Sequence, residues 1–101
     1  MMYEHIVSFK FKEELSQNKE AELLDALFAL QAQIPGIVQL TAGRNETLET
    51  GNIQGYMLGL RVTFSDQQSL QDYGPHPAHQ SFVAMLDGLI DNVIVIDYEI
   101  G

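Results

Sequence analysis

The sequence has no cysteine and few cationic residues. Without cysteine the chain can form no disulfide, no thiolate metal site and no cysteine nucleophile. That composition fits a reducing compartment, so we expect a cytoplasmic location. Five Lys and Arg stand against 14 Asp and Glu, which gives a net charge of −9. Because such a chain repels phosphate backbones and anionic lipid surfaces, neither nucleic acid nor a membrane is expected as a partner.

Long apolar runs, linkers and low-complexity segments are also missing. No apolar run approaches the roughly 18 residues that a membrane helix needs. The N-terminal stretch MMYEHIVSFKF lacks the cationic start and apolar run of a signal peptide. The 101 residues are enough for one domain, and 46% of them are hydrophobic. We therefore expect a single folded domain over residues 1–101, for which burial against a partner would add stability.

Hydrophobic periodicity predicts the order strand, helix, strand, strand, helix, strand. The predicted strands are residues 3–11, 37–44, 56–64 and 93–100. In the first strand, His5, Val7 and Phe9 share the face that should meet the helices. In the third, Leu58 and Leu60 share one face with the other alternating apolar residues. These patterns predict a sheet with one face covered by helices.

Capping and breaking residues predict where the helices begin and end. Ser16 should cap the first helix, whose apolar stripe includes Leu24, Leu27 and Phe28 and which ends before Pro35-Gly36. Ser65 with Gln68 forms a capping-box pattern for a short helix that reaches Tyr73. After the break at Pro75 and Pro77, a second helical stretch is predicted from its apolar stripe. That stripe comprises Phe82, Val83, Leu86, Leu89 and Ile90.

The last predicted strand, VIVIDYEI, has two apolar faces. Val93 and Val95 point one way, whereas Ile94, Ile96 and Tyr98 point the other. A strand in a sheet covered on one side needs only one apolar face. A second copy of the same chain can cover the other face with one self-complementary patch. We therefore expect a homodimer formed through the sheet face.

The stretch YGPHPAHQ, residues 73–80, holds two of the three histidines. Pro77 suits the first turn of a helix, which places His76 at the cap and His79 on the first turn. Tyr73 lies just before the break, so its side chain can converge with that of His79. His5, the third histidine, lies on the face of the first strand that is predicted to be buried. The pattern indicates a pocket mouth at this stretch.

Several interpretations of these histidines are open. His5 could be a neutral core histidine with one hydrogen bond, and His76 and His79 could belong to a solvated kink. Three imidazoles could hold zinc, although the HPAH spacing is not an established ligand pattern. Ser81 lies nearby, but no nucleophile elbow surrounds it. Acid–base chemistry by histidine and tyrosine beside a carbonyl group is the remaining alternative.

Five segments together resemble the stress-responsive dimeric α/β-barrel family, Dabb, nearly end to end. They are HIVSFKFK, IPGI, GY before the third strand, LQDYGPHPAHQSF and IDYE. The resemblance implies an α+β fold, a ferredoxin-like β-α-β-β-α-β unit that forms a homodimeric α+β barrel. This agrees with the element order and the two-faced last strand read from the residues.

The chain is also similar to a plant polyketide cyclase of that family, which closes a ring by aldol condensation. The resemblance implies that His79 is the acid–base residue, that Tyr73 assists it and that His5 lines the pocket. Leu58 stands in place of another histidine of that cyclase, and Leu24 and Leu27 replace bulky aromatics, so the pocket should differ in shape. The predicted substrate-binding residues are His5, His76, Val7, Phe9, Leu24, Leu27, Leu60 and Phe82.

Two functions are carried forward. The first is cofactor-independent cyclase or lyase chemistry on a small apolar carbonyl compound, with His79 and Tyr73 catalytic and no metal. The second is a non-catalytic, stress-protective or ligand-binding dimeric scaffold. A monooxygenase of the antibiotic-biosynthesis type shares the barrel architecture and is a more distant alternative. Fold alone does not decide among them.

Overall fold

The elements follow the predicted order in a computed structural model that describes residues 1–101. They are β1 (Met2–Phe11), α1 (Gln17–Gln33), β2 (Ile37–Arg44), a 3-10 turn (Thr50–Asn52), β3 (Tyr56–Phe64), α2 (Gln67–Tyr73), α3 (Pro77–Met85) and β4 (Ile90–Ile100). The four strands form one antiparallel sheet in the order β2-β3-β1-β4. This is the ferredoxin-like β-α-β-β-α-β arrangement, with the second helical segment divided in two.

The helices cover one side of the sheet, and the core lies between the helices and the sheet. The alternation predicted for β1 and β3 is confirmed, because Val7, Phe9, Leu58 and Leu60 are all buried on the helix side. The buried apolar cluster comprises Val7, Phe9, Leu23, Leu27, Leu30, Ile34, Leu40, Leu58, Leu60, Val62, Phe64, Tyr73, Phe82 and Leu86. None of the helices meets the combination of length and hydropathy that crossing a bilayer requires.

The first helix begins as predicted and packs through a narrower stripe than predicted. The Ser16 hydroxyl accepts a hydrogen bond from the Lys19 amide at 3.1 Å, which confirms the cap. Leu23, Leu27 and Leu30 are fully buried. Phe28 was wrongly placed in the stripe: it is 48% exposed, because it lies one helical step from Leu27, away from the sheet.

Three predicted boundaries were wrong. Asp66, not Ser65, caps α2: its carboxylate accepts a hydrogen bond from the Ser69 amide at 2.8 Å, and this bond lowers the pKa of Asp66. The last helix ends at Met85 rather than continuing through Ile90. Gly88 then adopts φ +78, a left-handed conformation that turns the chain. The last strand consequently begins three residues earlier than predicted, at Ile90.

Strand β4 is an edge strand whose two faces are both uncovered. The predicted alternation is confirmed: Val93 and Val95 face the helix side, and Ile94 and Ile96 face the opposite side, which we call the outer face. Val95 is 51% exposed and Ile96 57% exposed. The helices of one chain do not extend over this edge. The fold therefore leaves apolar surface on both sides of β4.

Candidate functional site

A cavity of about 920 Å³ lies between the helix side of the sheet and helices α2 and α3. That volume falls within the range of small-molecule sites, and 12 of the 20 lining residues are hydrophobic. Its floor consists of three side-chain pairs across β1 and β4, which we call the floor pairs. They are His5 with Asp97, Val7 with Val95, and Phe9 with Val93. The cavity thus has one polar end and a longer apolar part.

Tyr73, the last residue of α2, closes the polar end from above. Its ring centroid lies 5.4 Å from that of His5 and 5.1 Å from that of Phe64, in edge contacts. The residue is only 3% exposed, and its hydroxyl is buried without a hydrogen-bond partner. Burial raises the pKa of Tyr73 to about 12, because the phenolate would lose its hydration. The side chain therefore stays neutral, and its hydroxyl is a buried donor without an acceptor in the chain.

His79, on the first turn of α3, lies beside Tyr73 with ring centroids 4.4 Å apart. Its Nδ1 lies 2.9 Å from the carbonyl oxygen of Gly74. Because a carbonyl oxygen only accepts hydrogen bonds, Nδ1 is the protonated nitrogen and Nε2 carries the lone pair. Nε2 has no hydrogen-bond partner within the chain. The arrangement presents a basic nitrogen to the cavity.

The environment of His79 favours this neutral form. Burial lowers the pKa of His79 because it penalises the imidazolium, and the nearby His5 acts in the same direction. The bond to Gly74 opposes these effects without cancelling them. At neutral pH a neutral base and a neutral phenol therefore stand side by side in a mostly apolar cavity.

His5 is held by Asp97, which was not among the predicted site residues. Its Nδ1 lies 2.6 Å from Asp97 Oδ1, and its side chain is 13% exposed against 43% for Asp97. Since an ionised carboxylate only accepts, Nδ1 of His5 donates to it and the ring orientation is fixed. The period of two that places Val93 and Val95 on one face also places Asp97 there. That alternation was the signal available in the sequence.

Seven of the predicted site residues line the cavity. They are His5, Val7, Phe9, Leu60, Tyr73, His79 and Phe82. The convergence of His5, Tyr73 and His79 agrees with the expected geometry at the polar end. The cavity further recruits Val93, Val95 and Asp97 from β4, which had been considered only as strand residues.

Three predicted substrate-binding residues lie outside the cavity lining. The imidazole of His76 instead caps α3, accepting a hydrogen bond from the Ala78 amide at 3.0 Å. Leu27 is fully buried in the core, and Leu24 packs against that core. Both leucines belong to α1, which packs against β2 and α3, whereas the cavity lies over β1 and β4.

Nothing in the structure assembles a metal site from the three imidazoles. No group of three or more His, Cys, Asp or Glu side chains is placed to hold an ion. His76 has its Nδ1 engaged by the backbone, and His79 has its Nδ1 engaged by Gly74. The side chains at the polar end can donate and accept hydrogen bonds and transfer protons.

Comparisons with known proteins give the same picture of the fold. The chain is 28% identical over 98 residues to olivetolic acid cyclase of Cannabis sativa, covering 97% of this chain and 96% of that protein. It is 30% identical over 95 residues to the stress-response A/B barrel domain-containing protein HS1 of Arabidopsis thaliana, covering 94% and 86%. A dimeric ferredoxin-like protein from Jannaschia sp. CCS1 superposes with a TM-score of 0.82 at 28% identity, covering 99% of this chain and all (100%) of that one.

The family comparison covers almost the whole chain. A model of the stress responsive A/B barrel domain matches residues 3–100, which include every strand core, all three helices and all the residues of the polar end. This agrees with the segments that resembled the family and with the ferredoxin-like order of the elements. The chain therefore belongs to the stress-responsive A/B barrel domain family, Dabb.

Proposed function

We propose that the protein is a cofactor-independent enzyme that removes a proton next to the carbonyl group of a small, mainly apolar compound. The single observation that supports this most is that the rings of Tyr73 and His79 lie side by side, 4.4 Å apart. The buried Tyr73 hydroxyl has no hydrogen-bond partner, and Nε2 of His79 keeps a free lone pair. A buried hydroxyl without a partner is costly to the fold, and such groups are concentrated at functional sites. A carbonyl oxygen is the acceptor that this hydroxyl lacks.

The proposed step transfers one proton and forms one enolate. Nε2 of His79 takes the proton from the carbon next to the carbonyl, the electron pair of that C–H bond forms the carbon–carbon double bond of the enolate, and the π pair of the carbonyl moves to its oxygen. Tyr73 donates its hydrogen bond to the oxygen as negative charge develops there. The resulting imidazolium returns its proton to the product. Attack of the enolate carbon on a second carbonyl of the same molecule would be an aldol-type cyclisation, and the reverse step a lyase reaction.

His5 and Asp97 serve in this proposal as positioning residues. The carboxylate of Asp97 fixes the imidazole of His5, which in turn packs against the edge of the Tyr73 ring. This contact holds the phenol over the polar floor pair. The name of the Cannabis sativa relative, olivetolic acid cyclase, supports a cyclisation in the same family at 28% identity. The proposal also includes a cytoplasmic location, as expected from the composition.

The proposal is tested by exchange of the α-protons of 2-octanone in D₂O, followed by ¹H NMR with the purified full chain. The wild-type protein should accelerate exchange above buffer, and His79→Ala should reduce that acceleration by about a hundredfold or more. Tyr73→Phe should reduce it by about tenfold or more. The matched control Tyr56→Phe changes a tyrosine outside the cavity and should retain the wild-type rate.

The same experiment decides between catalysis and binding alone. If 2-octanone binds with no exchange above buffer, the non-catalytic scaffold replaces the enzyme as the better account. The exposed apolar floor of the cavity is the feature that favours this alternative, since it suits an apolar ligand whether or not chemistry follows.

We also propose that the chain forms a homodimer through the outer face of the sheet. On that face β4 presents the exposed Ile94, Ile96 and Tyr98 as a ridge. Across the neighbouring strands, Gly43 pairs with Gly59, and no atom lies within 4 Å of a Cβ placed at either position. A two-fold axis parallel to the strands would lay the ridge of one copy over the glycine trough of the other. The Jannaschia relative is a dimeric protein, which supports the formation of a dimer.

A further inference from the structure

The cavity floor changes from polar to apolar in steps of fixed length. The floor pairs follow the pleat of β1 and β4, so each pair lies two residues, about 6.8 Å, from the next. The first pair, His5 with Asp97, is polar, and the two that follow are aliphatic or aromatic. From His5 to Phe9 the floor therefore extends about 13 Å in one direction along the strand.

The roof of the cavity repeats the same polarity. Tyr73 and His79 stand at the first floor pair, as the 5.4 Å separation between the Tyr73 and His5 rings shows. Phe82 stands over the last pair, with its ring centroid 6.1 Å from that of Phe9. Both surfaces thus place proton-transfer groups at one end and hydrocarbon at the other. A ligand that matches them has a polar head and a straight apolar tail.

The apolar part of the floor is unoccupied by the chain itself. Val93 is 37% exposed and Val95 51% exposed, although both lie on the helix side of the sheet. Beyond the last floor pair the lining holds the apolar Ile90 and then the charged Lys12 and Asp87. An apolar tail would therefore contact the two valines, and lengthening it past the charged end of the cavity would add no further apolar contacts.

The head group is expected to be uncharged. Asp97 is the carboxylate at the polar end, and the whole chain carries a net charge of −9. Lys12 is the single cationic residue in the lining, and it lies at the opposite end from His79. An anionic head beside His79 would meet Asp97 and an unfavourable overall field. A ketone or aldehyde oxygen would instead accept the free Tyr73 hydrogen bond.

Building on the proposed function, we infer that the substrate is an uncharged carbonyl compound with a straight apolar tail of about eight to ten carbons. A zigzag of carbon–carbon bonds of about 1.5 Å advances about 1.3 Å per atom, so about ten carbons span the 13 Å floor. The floor pairs thus act as a ruler: their spacing sets the tail length that binds best. The hydrogen bond from Tyr73 favours a carbonyl head group.

The test is a series of 2-alkanones from about four to about sixteen carbons, with Kd measured from the NMR shifts of the valine methyl groups in the wild-type full chain. Each added methylene should lower Kd about two- to fourfold until the tail beyond the carbonyl has about eight to ten carbons, as in 2-decanone to 2-dodecanone, after which Kd should level off. Octanoate should bind at least about tenfold more weakly than 2-octanone at pH 8. A Kd independent of length, or tighter binding of octanoate, would overturn the inference.

A variant at the last floor pair tests the ruler itself. Val93→Phe fills the far end, so the plateau should move to shorter ketones by about five carbons, the length of one pair spacing, while 2-butanone binds as before. Leu48→Phe is the matched control: Leu48 is 96% exposed in a loop, and the plateau should stay in place. An unmoved plateau in a folded Val93→Phe protein would contradict the ruler.

Failure of this inference is distinguishable from failure of the proposed function. Length-dependent binding without α-proton exchange supports the ruler and rejects the proposed chemistry. Exchange that depends on His79 but shows no dependence of Kd on tail length supports the chemistry and rejects the ruler.

Discussion

His79 and Tyr73 are both buried, and burial moves their pKa values in opposite directions. It lowers the pKa of His79 and raises the pKa of Tyr73 to about 12, since in each case the charged form would lose hydration. The base is therefore unprotonated and the phenol protonated over a wide range around neutral pH. One physical cause prepares both partners for proton transfer next to a carbonyl group.

The unpartnered hydroxyl predicts a stability cost at Tyr73. Tyr73→Phe removes a buried polar atom that has no hydrogen bond, so the free energy of unfolding should rise by about 1 kcal/mol while exchange activity falls. Tyr56→Phe is the contrast, because the Tyr56 hydroxyl accepts a bond from Asn92 at 2.5 Å. That variant should lose about 0.5–1 kcal/mol. Urea unfolding measures both, and a loss of stability in Tyr73→Phe would show that its hydroxyl has a partner.

Much of the polar end could be predicted from the sequence, because the signals there are local. The distance from Tyr73 to His79 is short in the chain, and the two prolines fix the break between their helices. The role of Asp97 depends on the β1–β4 register, which aligns residues 92 positions apart. The tautomer of His79 depends on one backbone carbonyl at Gly74. Neither the β1–β4 register nor the contact between His79 and the Gly74 carbonyl can be predicted from a local sequence pattern.

At the scale of elements, the α2–α3 break positions the base. Pro77 begins α3, and the side chain of His76 satisfies the Ala78 amide in place of the usual Ser, Thr, Asp or Asn. This cap orients the first turn, on which His79 lies. The role of His76 is therefore to position an element, and its imidazole does not reach the cavity lining.

Two substitutions at His76 separate a cap from a ligand-binding residue. His76→Ala should lower the free energy of unfolding by about 1 kcal/mol, whereas His76→Asn should retain most of it, because asparagine also caps helices. Thermal unfolding gives the stability. The folded His76→Asn protein should keep the wild-type Kd for 2-octanone, and a large rise in that Kd would restore His76 to the binding site.

The same logic applies to α1, where Leu27 was expected in the pocket. Leu27→Ala should cost about 2–5 kcal/mol, because the side chain is fully buried, while the Kd for 2-octanone stays within about twofold. Its neighbour Phe28 is 48% exposed, so Phe28→Ala should cost less than about 1 kcal/mol. Urea unfolding and NMR titration measure these quantities. A selective loss of ketone binding in Leu27→Ala would place that leucine in the pocket after all.

The element boundaries that were wrong had local competitors of similar strength. Ser65 and Asp66 are both good cap residues, and the choice of Asp66 depends on which oxygen reaches the Ser69 amide. Leu89 and Ile90 fit the helical stripe by spacing, but the left-handed turn at Gly88 ends the helical path before them. Gly88 lies two residues after Leu86, and glycine often follows the end of a helix, so the sequence contained a signal for this end.

At the scale of the molecule, the outer face of the sheet combines a half-buried ion pair with an apolar ridge. Glu4 receives hydrogen bonds from the Thr63 hydroxyl and, at 2.8 Å, from Arg61. Burial alone would raise the pKa of Glu4, but these two bonds and the positive charge of Arg61 outweigh it and hold the pKa below the ordinary value. Glu4, Arg61 and Thr63 lie on β1 and β3, and the ridge of Ile94 and Ile96 lies on β4. In the proposed dimer, this division would give the two copies a definite relative position.

A charge on the ridge should separate the proposed dimer. Ile96→Lys places an ammonium where the ridge would meet the partner copy, so the mass measured by multi-angle light scattering should fall from two chains to one. Leu48→Lys adds the same charge at a 96% exposed loop position and should leave the mass unchanged. A wild-type protein of one chain's mass, 11.3 kDa, would reject the dimer.

The central claim is that His79 acts as the neutral base, and the pH dependence of α-proton exchange tests it most directly. Protonation removes the lone pair of Nε2, so the rate should fall as pH decreases through the His79 pKa. Because that pKa is lowered from 6.5, the midpoint should lie below 6.5 and coincide with the titration of His79 followed by ¹H–¹⁵N NMR in the same sample. His79→Ala should abolish this dependence. A wild-type profile with no exchange above buffer, or an acid limb that persists without His79, would contradict the account.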